Sequence, residues 1–81
     1  MQYVHLTCVD IIDVSTVERK SYTFGESSES YVDLSHLVII QPISSLEGYF
    51  VLSFSNGWET TICLSEQSNL VKEFFRVSGV S

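Results

Sequence analysis

The sequence lacks alanine altogether, and between residues 21 and 71 it also lacks lysine and arginine. Alanine is the strongest helix former, whereas Val, Ile and Thr, which favour strands, supply 21 of the 81 residues. The composition therefore predicts a fold dominated by β-strands.

The scarcity of lysine and arginine limits the classes of partner that the protein can bind. Residues 21–71 carry a charge of −6, while residues 1–20 contribute −1 and residues 72–81 contribute +1, which leaves a net charge of −6. Nucleic-acid affinity depends on Lys and Arg side chains that displace counterions from phosphates, and anionic lipid attracts the same side chains. We therefore expect no direct binding of nucleic acid and no docking on a membrane.

Long hydrophobic runs and cysteines are also scarce. The longest uncharged run is the 13 residues Leu34–Leu46, which include Pro42, whereas a transmembrane helix needs about 20 apolar residues. No lysine or arginine precedes Arg19, so no signal peptide is expected. Two cysteines are too few for a disulfide framework, so the expected compartment is a reducing one, the cytoplasm.

Length and apolar content predict a single folded domain over residues 1–81. A chain with 44% hydrophobic residues is too apolar to be disordered. At this length about 60–65% of the unfolded surface is buried on folding, which is enough for one modest core. No internal repeat and no linker divides the sequence.

Residues 2–24 predict two strands. Gln2–Ile12 alternates apolar and polar residues until the apolar phase changes, which predicts a strand with a β-bulge near Cys8–Asp10. A turn at Asp13–Thr16 then leads to a second strand that contains Tyr22 and Phe24.

Two further segments are interpreted from their composition. Gly25–Ser30 is small, acidic and without an apolar residue, which indicates a loop. Leu37–Ile40 is apolar at four consecutive positions, which predicts a strand covered on both faces. Pro42 should end that strand, because proline cannot continue a central ladder.

The segment Tyr49–Leu64 predicts a β-hairpin whose register follows from burial. A two-residue turn would place the aromatic residues of the first strand opposite polar partners. A three-residue loop at 55–57 instead pairs Phe54 with Trp58 and brings every large apolar side chain to one face. That face consists of Phe50, Leu52, Phe54, Trp58 and Ile62. Because a slip of one residue turns a whole strand over, burial favours this loop, with Gly57 in the left-handed conformation.

The C-terminal segment Ser65–Val77 has the only helical periodicity. Ser65 is the expected N-cap, and Gly79 follows the last turn, where a C-cap glycine belongs. The apolar stripe consists of Leu70, Val71, Phe74, Phe75 and Val77. The predicted fold class is therefore α+β: a small, mainly antiparallel sheet of roughly five strands, with one C-terminal amphipathic helix packed on one face.

His5, Cys8, His36 and Cys63 are the residue types of a zinc site, but their spacing does not support one. His5 and Cys8 lie three apart on a predicted strand, so they point to opposite faces. Structural zinc requires four converging ligands. We expect no metal ion and no cofactor.

No arrangement of residues in the sequence predicts catalysis. Asp33, Ser35 and His36 are the residue types of a hydrolase, but neighbours in sequence seldom align as nucleophile and base, and no Gly-x-Ser-x-Gly motif is present. Asp33 or Ser35 more simply caps a short turn before Leu37. We therefore expect a protein that is not an enzyme and has no catalytic residues.

Two surfaces are candidate binding sites for a protein partner. The favoured hairpin register leaves an uncharged face opposite the core, formed by Tyr49, Val51, Ser53, Thr61 and Cys63. Either another part of the chain covers this face, or a partner or second copy docks on it. The second candidate is an acidic docking loop, formed by Glu26, Glu29, Tyr31 and Asp33, whose alternative is an ordinary solvated loop.

These features are compatible with two functions. The first is a non-enzymatic interaction module that self-associates through its sheet, and we expect a homodimer because one helix covers only one sheet face. The second is an acidic inhibitor, of the kind that phages and mobile elements encode, that blocks a basic nucleic-acid-binding surface of a host protein. A salt titration of partner binding separates the two functions. Binding by the inhibitor should collapse at high salt, because only the inhibitor depends on charge attraction.

Overall fold

The computed structural model describes residues 3–80, which form an antiparallel sheet followed by one helix. The strands are β1 (Val4–Asp13), β2 (Tyr22–Val32), β3 (Leu37–Pro42), β4 (Tyr49–Phe54) and β5 (Glu59–Cys63), and the helix is α1 (Asn69–Val77). The strand order across the sheet is β2-β1-β5-β4-β3. Short 3₁₀ turns at Leu34–His36 and Leu64–Glu66 precede β3 and α1. The predicted α+β class, with five strands and one C-terminal helix, is confirmed.

The β4–β5 hairpin has the predicted register. Phe50 lies opposite Ile62. The backbone N–H of Phe54 donates to the carbonyl of Trp58 over 2.9 Å, and the N–H of Gly57 donates to the carbonyl of Phe54 over 2.9 Å. Gly57 has a φ of 89°, which is the left-handed conformation that closes a three-residue loop.

The core lies between the sheet and α1. Val71 and Phe75 of α1 are fully buried, and the ring of Phe75 meets the ring of Phe50 edge-on, with 5.5 Å between the ring centroids. Four strands supply the remaining core residues, which are Val4, Leu6, Cys8, Val32, Leu52, Phe54 and Ile62. The helix therefore packs on the apolar face of the hairpin, as predicted, and β1 completes that face.

The helix is shorter than predicted at its N-terminus. It follows Ser68 rather than Ser65, because Leu64–Glu66 form a 3₁₀ turn and the next side chain, Gln67, is buried against β1. Gly79, with a φ of 80°, ends the helix in a Schellman motif, as its C-cap position predicted. Within residues 3–80 no helix combines the length and the apolar character needed to cross a membrane.

The prediction of a loop at Gly25–Ser30 is wrong, because these residues belong to β2. The strand pairs with β1 from Ser27, opposite Val9, to Val32, opposite Val4. It lies at the edge of the sheet, where backbone hydrogen bonds hold it and most of its side chains face solvent. Polar residues are tolerated at such a position, so a polar composition did not distinguish this strand from a loop.

The irregularity predicted near Cys8–Asp10 is confirmed, but the extra residue lies on the partner strand. Between Val9 and Ile11, β1 advances by two residues while β2 advances by three, from Ser27 to Phe24. The phase change in β1 therefore has another cause. Val9 and Ile11 are apolar residues on the outer face, which is the face of the sheet turned away from α1.

β3 is an edge strand, so the prediction that Leu37–Ile40 is covered on both faces is wrong. Val38 and Ile39 are 64% and 53% exposed. The pairing with β4 shifts between Leu37 and Ile39, which makes Val38 an extra residue. The four consecutive apolar residues thus mark a β-bulge at the sheet edge. Pro42 ends the strand, as predicted.

The distal half of the β1–β2 hairpin crosses the outer face of β4 and β5. Beyond the bulge, the ring centroids of Phe24 and Tyr49 lie 5.5 Å apart, and the hydroxyl of Tyr22 is hydrogen-bonded to that of Ser45. In the sheet order, β1 and β5 separate β2 from β4, so these contacts require the hairpin to bend over the sheet. The helix covers one face, and the chain itself covers part of the other.

Candidate protein-interaction site

The five residues predicted as a partner-binding face do share one surface. Tyr49, Val51, Ser53, Thr61 and Cys63 lie on the outer face of the hairpin, and each is half-buried. Phe24 packs on Tyr49 from above. Burial raises the pKa of the Tyr49 hydroxyl above its ordinary value of 10.0, and the neighbouring Cys63 adds to the shift. Part of this face is therefore covered from within the chain.

The four residues predicted as an acidic docking loop lie on a strand or directly after it. Glu26, Glu29 and Tyr31 belong to β2, and Asp33 follows its last residue. One carboxylate oxygen of Glu29 lies 3.2 Å from Nε2 of His5, and the ring centroids of Tyr31 and His5 lie 5.4 Å apart. The acidic segment is therefore held in place by the sheet, which corrects its prediction as a loop.

The backbone of β1 shows which peptide groups bond to β2. The N–H of Thr7 donates to Oε1 of Gln67 over 3.0 Å, and the carbonyl of Thr7 accepts from Nε2 of Gln67 over 2.8 Å. Gln67 follows β5, so the peptide groups of Thr7 point away from β2. Because peptide groups alternate in direction along a strand, those of Leu6 and Cys8 point toward β2.

Half of the peptide groups of β2 therefore point away from the sheet. Ser30 and Ser28 lie opposite Leu6 and Cys8 and bond to β1. The peptide groups of Ser27, Glu29 and Tyr31 point to the other side of β2, where no strand within residues 3–80 pairs with it. We call these three residues the free edge of β2.

The two edges of the sheet differ in how far they are protected against pairing. β2 contains no proline and no lysine, and its bulge lies before Ser27, so the free edge is regular. β3 has a bulge at Val38 and ends in Pro42. Bulges and prolines are the usual devices that prevent edge strands from pairing. Of the two sheet edges, the edge of β2 is therefore the one available for pairing with a further strand.

A groove opens where β2 ends. It has a volume of about 680 Å³ and lies between the end of the β1–β2 pair and the turn of the β4–β5 hairpin. Its lining includes the exposed rings of Tyr3, Tyr31 and Trp58, together with Asp33 and His36. The sequence analysis assigned Tyr31 and Asp33 to a binding site but not Tyr3, His36 or Trp58. Tyr31 and Trp58 are 27 positions apart in the chain, and no local motif connects the two sides of the groove.

Asp33 is the only acidic residue that lines this groove within the described part of the chain. Its Oδ1 accepts hydrogen bonds from the hydroxyl of Ser35 over 2.7 Å and from the N–H of Ser35 over 3.0 Å. These bonds hold the pKa of the Asp33 carboxyl below its ordinary value of 3.8. Of the two caps considered for the turn that leads into Leu37, Asp33 and Ser35, Asp33 is the one that caps it. The side chain is only 12% exposed, and its Oδ2 lies 3.8 Å from Nε2 of His36.

The residues of the zinc type lie in separate places. His5 is on the outer face beside Glu29, whereas Cys8 is buried in the core. Cys8 and Cys63 are both free thiols. Across residues 3–80, no group of three or more His, Cys, Asp or Glu side chains is placed to hold a metal ion.

No protein-family model, no curated protein and no solved structure matches the chain. The candidate function therefore rests on the geometry of the described residues. The two features that this geometry offers are the free edge of β2 and the groove at its end.

Proposed function

We propose that the protein is a non-enzymatic interaction module that binds an extended, basic segment of a partner protein as a sixth strand beside β2. The observation that carries this proposal is the free edge, where Ser27, Glu29 and Tyr31 offer unpaired N–H and C=O groups. Strand addition gains affinity from such main-chain hydrogen bonds and selectivity from alternate side chains.

Charge indicates what kind of segment fits. The side chain of Glu29 is 71% exposed, and its carboxylate is paired with His5, which is positive only when protonated. Glu26 lies on the same strand, and the chain has no Lys or Arg from residue 21 to residue 71. A Lys or Arg on the incoming strand would lie across from Glu29, and opposite charges at such cross-strand positions stabilise pairing.

An acetylated Lys-Val-Arg-Val-Lys-Val amide tests this mode of binding by calorimetric titration. We expect saturable binding to the parent protein and a large loss of affinity in Ser27→Pro, because the proline ring blocks the free edge while every bond to β1 is kept. Ser27→Ala, which keeps the N–H, should bind like the parent. Equal binding by Ser27→Pro, in a variant whose circular dichroism is unchanged, would contradict the proposal.

The acidic-inhibitor hypothesis describes one class of partner for the same edge. A protein whose basic segment otherwise contacts nucleic acid would lose that contact when the segment pairs with β2. This version requires charge attraction, so binding should weaken strongly from low to high salt. A peptide in which Glu replaces every Lys and Arg should not bind.

The proposed compartment is the cytoplasm. Both cysteines are free thiols in the structure, with Cys8 in the core and Cys63 half-buried on the outer face. Free thiols of this kind are kept reduced in the cytoplasm. Fluorescence microscopy of a tagged chain in its native cell would test this placement.

Self-association is the second candidate function, and α1 carries the observation that favours it. Leu70, Phe74 and Val77 lie along one stripe of the helix, where Leu70 and Val77 are exposed and Phe74 is half-buried. Residues 69–77 carry a net charge of +1 in a chain of net charge −6. Two copies that meet along this stripe would therefore avoid the acidic surfaces that repel each other.

Sedimentation equilibrium tests self-association. We expect a mass of twice the 9.1 kDa chain and a shift toward the monomer in Leu70→Glu. Asn69→Glu is the matched control, since it adds the same charge at an exposed position beside the stripe. A monomer at every concentration would refute self-association and leave strand addition at β2 unaffected.

A further inference from the structure

We propose that the groove at the end of β2 binds an arginine side chain of the partner protein. The inference rests on the proposed function, because the basic segment that pairs with β2 would supply the arginine. It is carried by an arrangement of three rings and one carboxylate around the same groove, from Tyr3, Tyr31, Trp58 and Asp33.

The only ion-pair partner of the Asp33 carboxylate within residues 3–80 is His36, which is positive only when protonated. Both bonds from Ser35 go to Oδ1, and Oδ2 lies 3.8 Å from His36, which is beyond hydrogen-bond distance. No lysine or arginine is among the described residues that line the groove. A carboxylate shielded from water attracts a cation more strongly than an exposed one, so this position favours an incoming positive group.

The rings select a guanidinium over an ammonium group. Arginine is planar and weakly hydrated, so it stacks on aromatic faces while it donates to a carboxylate. The ring of Trp58 packs on Phe54, with 5.1 Å between centroids, and the ring of Tyr31 packs on His5. Two of the three rings are thus held in place before binding, which lowers the entropic cost of binding.

Tyr31 belongs both to the free edge and to the groove. A strand that pairs with Glu29 and Tyr31 runs directly toward the groove at its end. The arginine would therefore lie at the end of the incoming segment beside Tyr31. The free edge and the groove would bind successive parts of one continuous peptide.

Trp58 is the only tryptophan of the chain, so its fluorescence reports binding in the groove. The probe is acetyl-Gly-Arg-Gly-amide, which is too short to form a strand. The same peptide with citrulline has nearly the same shape without the charge. We expect a saturable change in emission with arginine, none with citrulline, and binding at least about threefold weaker with lysine. An equal response to arginine and citrulline, or no response to arginine, would overturn the proposal.

Two variants test the residues of the site. Tyr31→Ser should weaken arginine binding by about threefold to tenfold. Asp33→Asn should weaken it more, because the charge is lost while an oxygen remains to accept from Ser35. Phe24→Ser removes an exposed ring elsewhere on β2 and should bind like the parent. Unchanged binding by both Tyr31→Ser and Asp33→Asn would show that the peptide binds elsewhere.

Ser27→Pro separates this inference from the proposed function. It should lower the affinity for the Lys-Val-Arg-Val-Lys-Val peptide to about that of acetyl-Gly-Arg-Gly-amide, because only the arginine contact remains, and leave the response to the short peptide unchanged. If the short peptide fails while the long one binds and depends on Ser27, the arginine site is refuted and strand addition stands. If the long peptide binds the parent protein no more tightly than the short one and does not depend on Ser27, strand addition is refuted and the arginine site stands.

Discussion

The side-chain amide of Gln67 forms two hydrogen bonds with the backbone of Thr7, 60 residues earlier in the chain. The same amide donates to the carbonyl of Cys63 over 2.9 Å, and the residue is 6% exposed. β1 pairs with β5 where Cys8 lies opposite Ile62. The amide therefore continues this ladder past the end of β5, in the place of a strand, and ties β1 to the segment that begins α1.

Gln67→Leu should lower the free energy of unfolding by about 2–3 kcal/mol, because it removes the partner of the half-buried Thr7 N–H and the donor to the carbonyls of Thr7 and Cys63. Urea denaturation measures the change. Gln41→Leu is the matched control on the exposed edge strand β3, and its effect should stay within about 0.5 kcal/mol. A Gln67 variant as stable as the Gln41 variant would mean that the amide does not hold β1.

Gly57→Val should destabilise the protein by about 1–2 kcal/mol, because a β-branched residue is strained at positive φ. Outside the adjacent residues, no atom lies within 4 Å of the position that a Cβ would occupy, so the cost comes from the backbone and not from a clash. Gly57→Asn should cost less, since Asn tolerates the left-handed conformation. Thermal unfolding compares the two, and a valine variant with the stability of the parent would exclude the three-residue loop.

The charge of Asp33 should make stability depend on pH in the acid range. Hydrogen bonds from Ser35 lower the pKa of the Asp33 carboxyl below 3.8 in the folded state. The stabilisation is therefore complete above the unfolded pKa, near 3.8, and is lost as the pH falls through the lower folded value. The difference in unfolding free energy between the parent and Asp33→Asn should be constant near neutral pH and shrink below pH 3.8. A difference that does not change on acidification would contradict this.

Folding should need no metal ion. His5 and Cys8 lie on opposite sides of β1, and the described residues bring no set of metal ligands together. Treatment with EDTA should therefore leave the melting temperature unchanged in differential scanning calorimetry. A large fall would show a structural metal, because such ions supply folding free energy directly.

The parts of the fold that follow from local pattern were predictable from the sequence. In the β4–β5 hairpin, the alternation of apolar residues and the position of Gly57 both specify one register, so burial and turn chemistry agree. Gly79 similarly ends α1 because a left-handed residue is needed there. Asp33 was predictable as a cap because its partner, Ser35, lies two residues away.

The parts that depend on distant neighbours were not predictable in this way. Gly25–Ser30 forms a strand because β1 pairs with it, and nothing in its own composition indicates that pairing. The helix begins late because Gln67 bonds to Thr7 across the fold. The acidic residues of the candidate site were visible in the sequence, but the groove was not, since Tyr3 and Trp58 meet it only after the sheet has formed.

Amide hydrogen exchange along β2 tests strand addition most directly. In the free protein, the amides of Ser28 and Ser30 should exchange slowly, because they bond to β1, while those of Ser27, Glu29 and Tyr31 should exchange fast. With saturating Lys-Val-Arg-Val-Lys-Val peptide, we predict that the three fast amides become protected and that the two slow ones change little. If the peptide binds and the three amides stay unprotected, the partner does not add to β2.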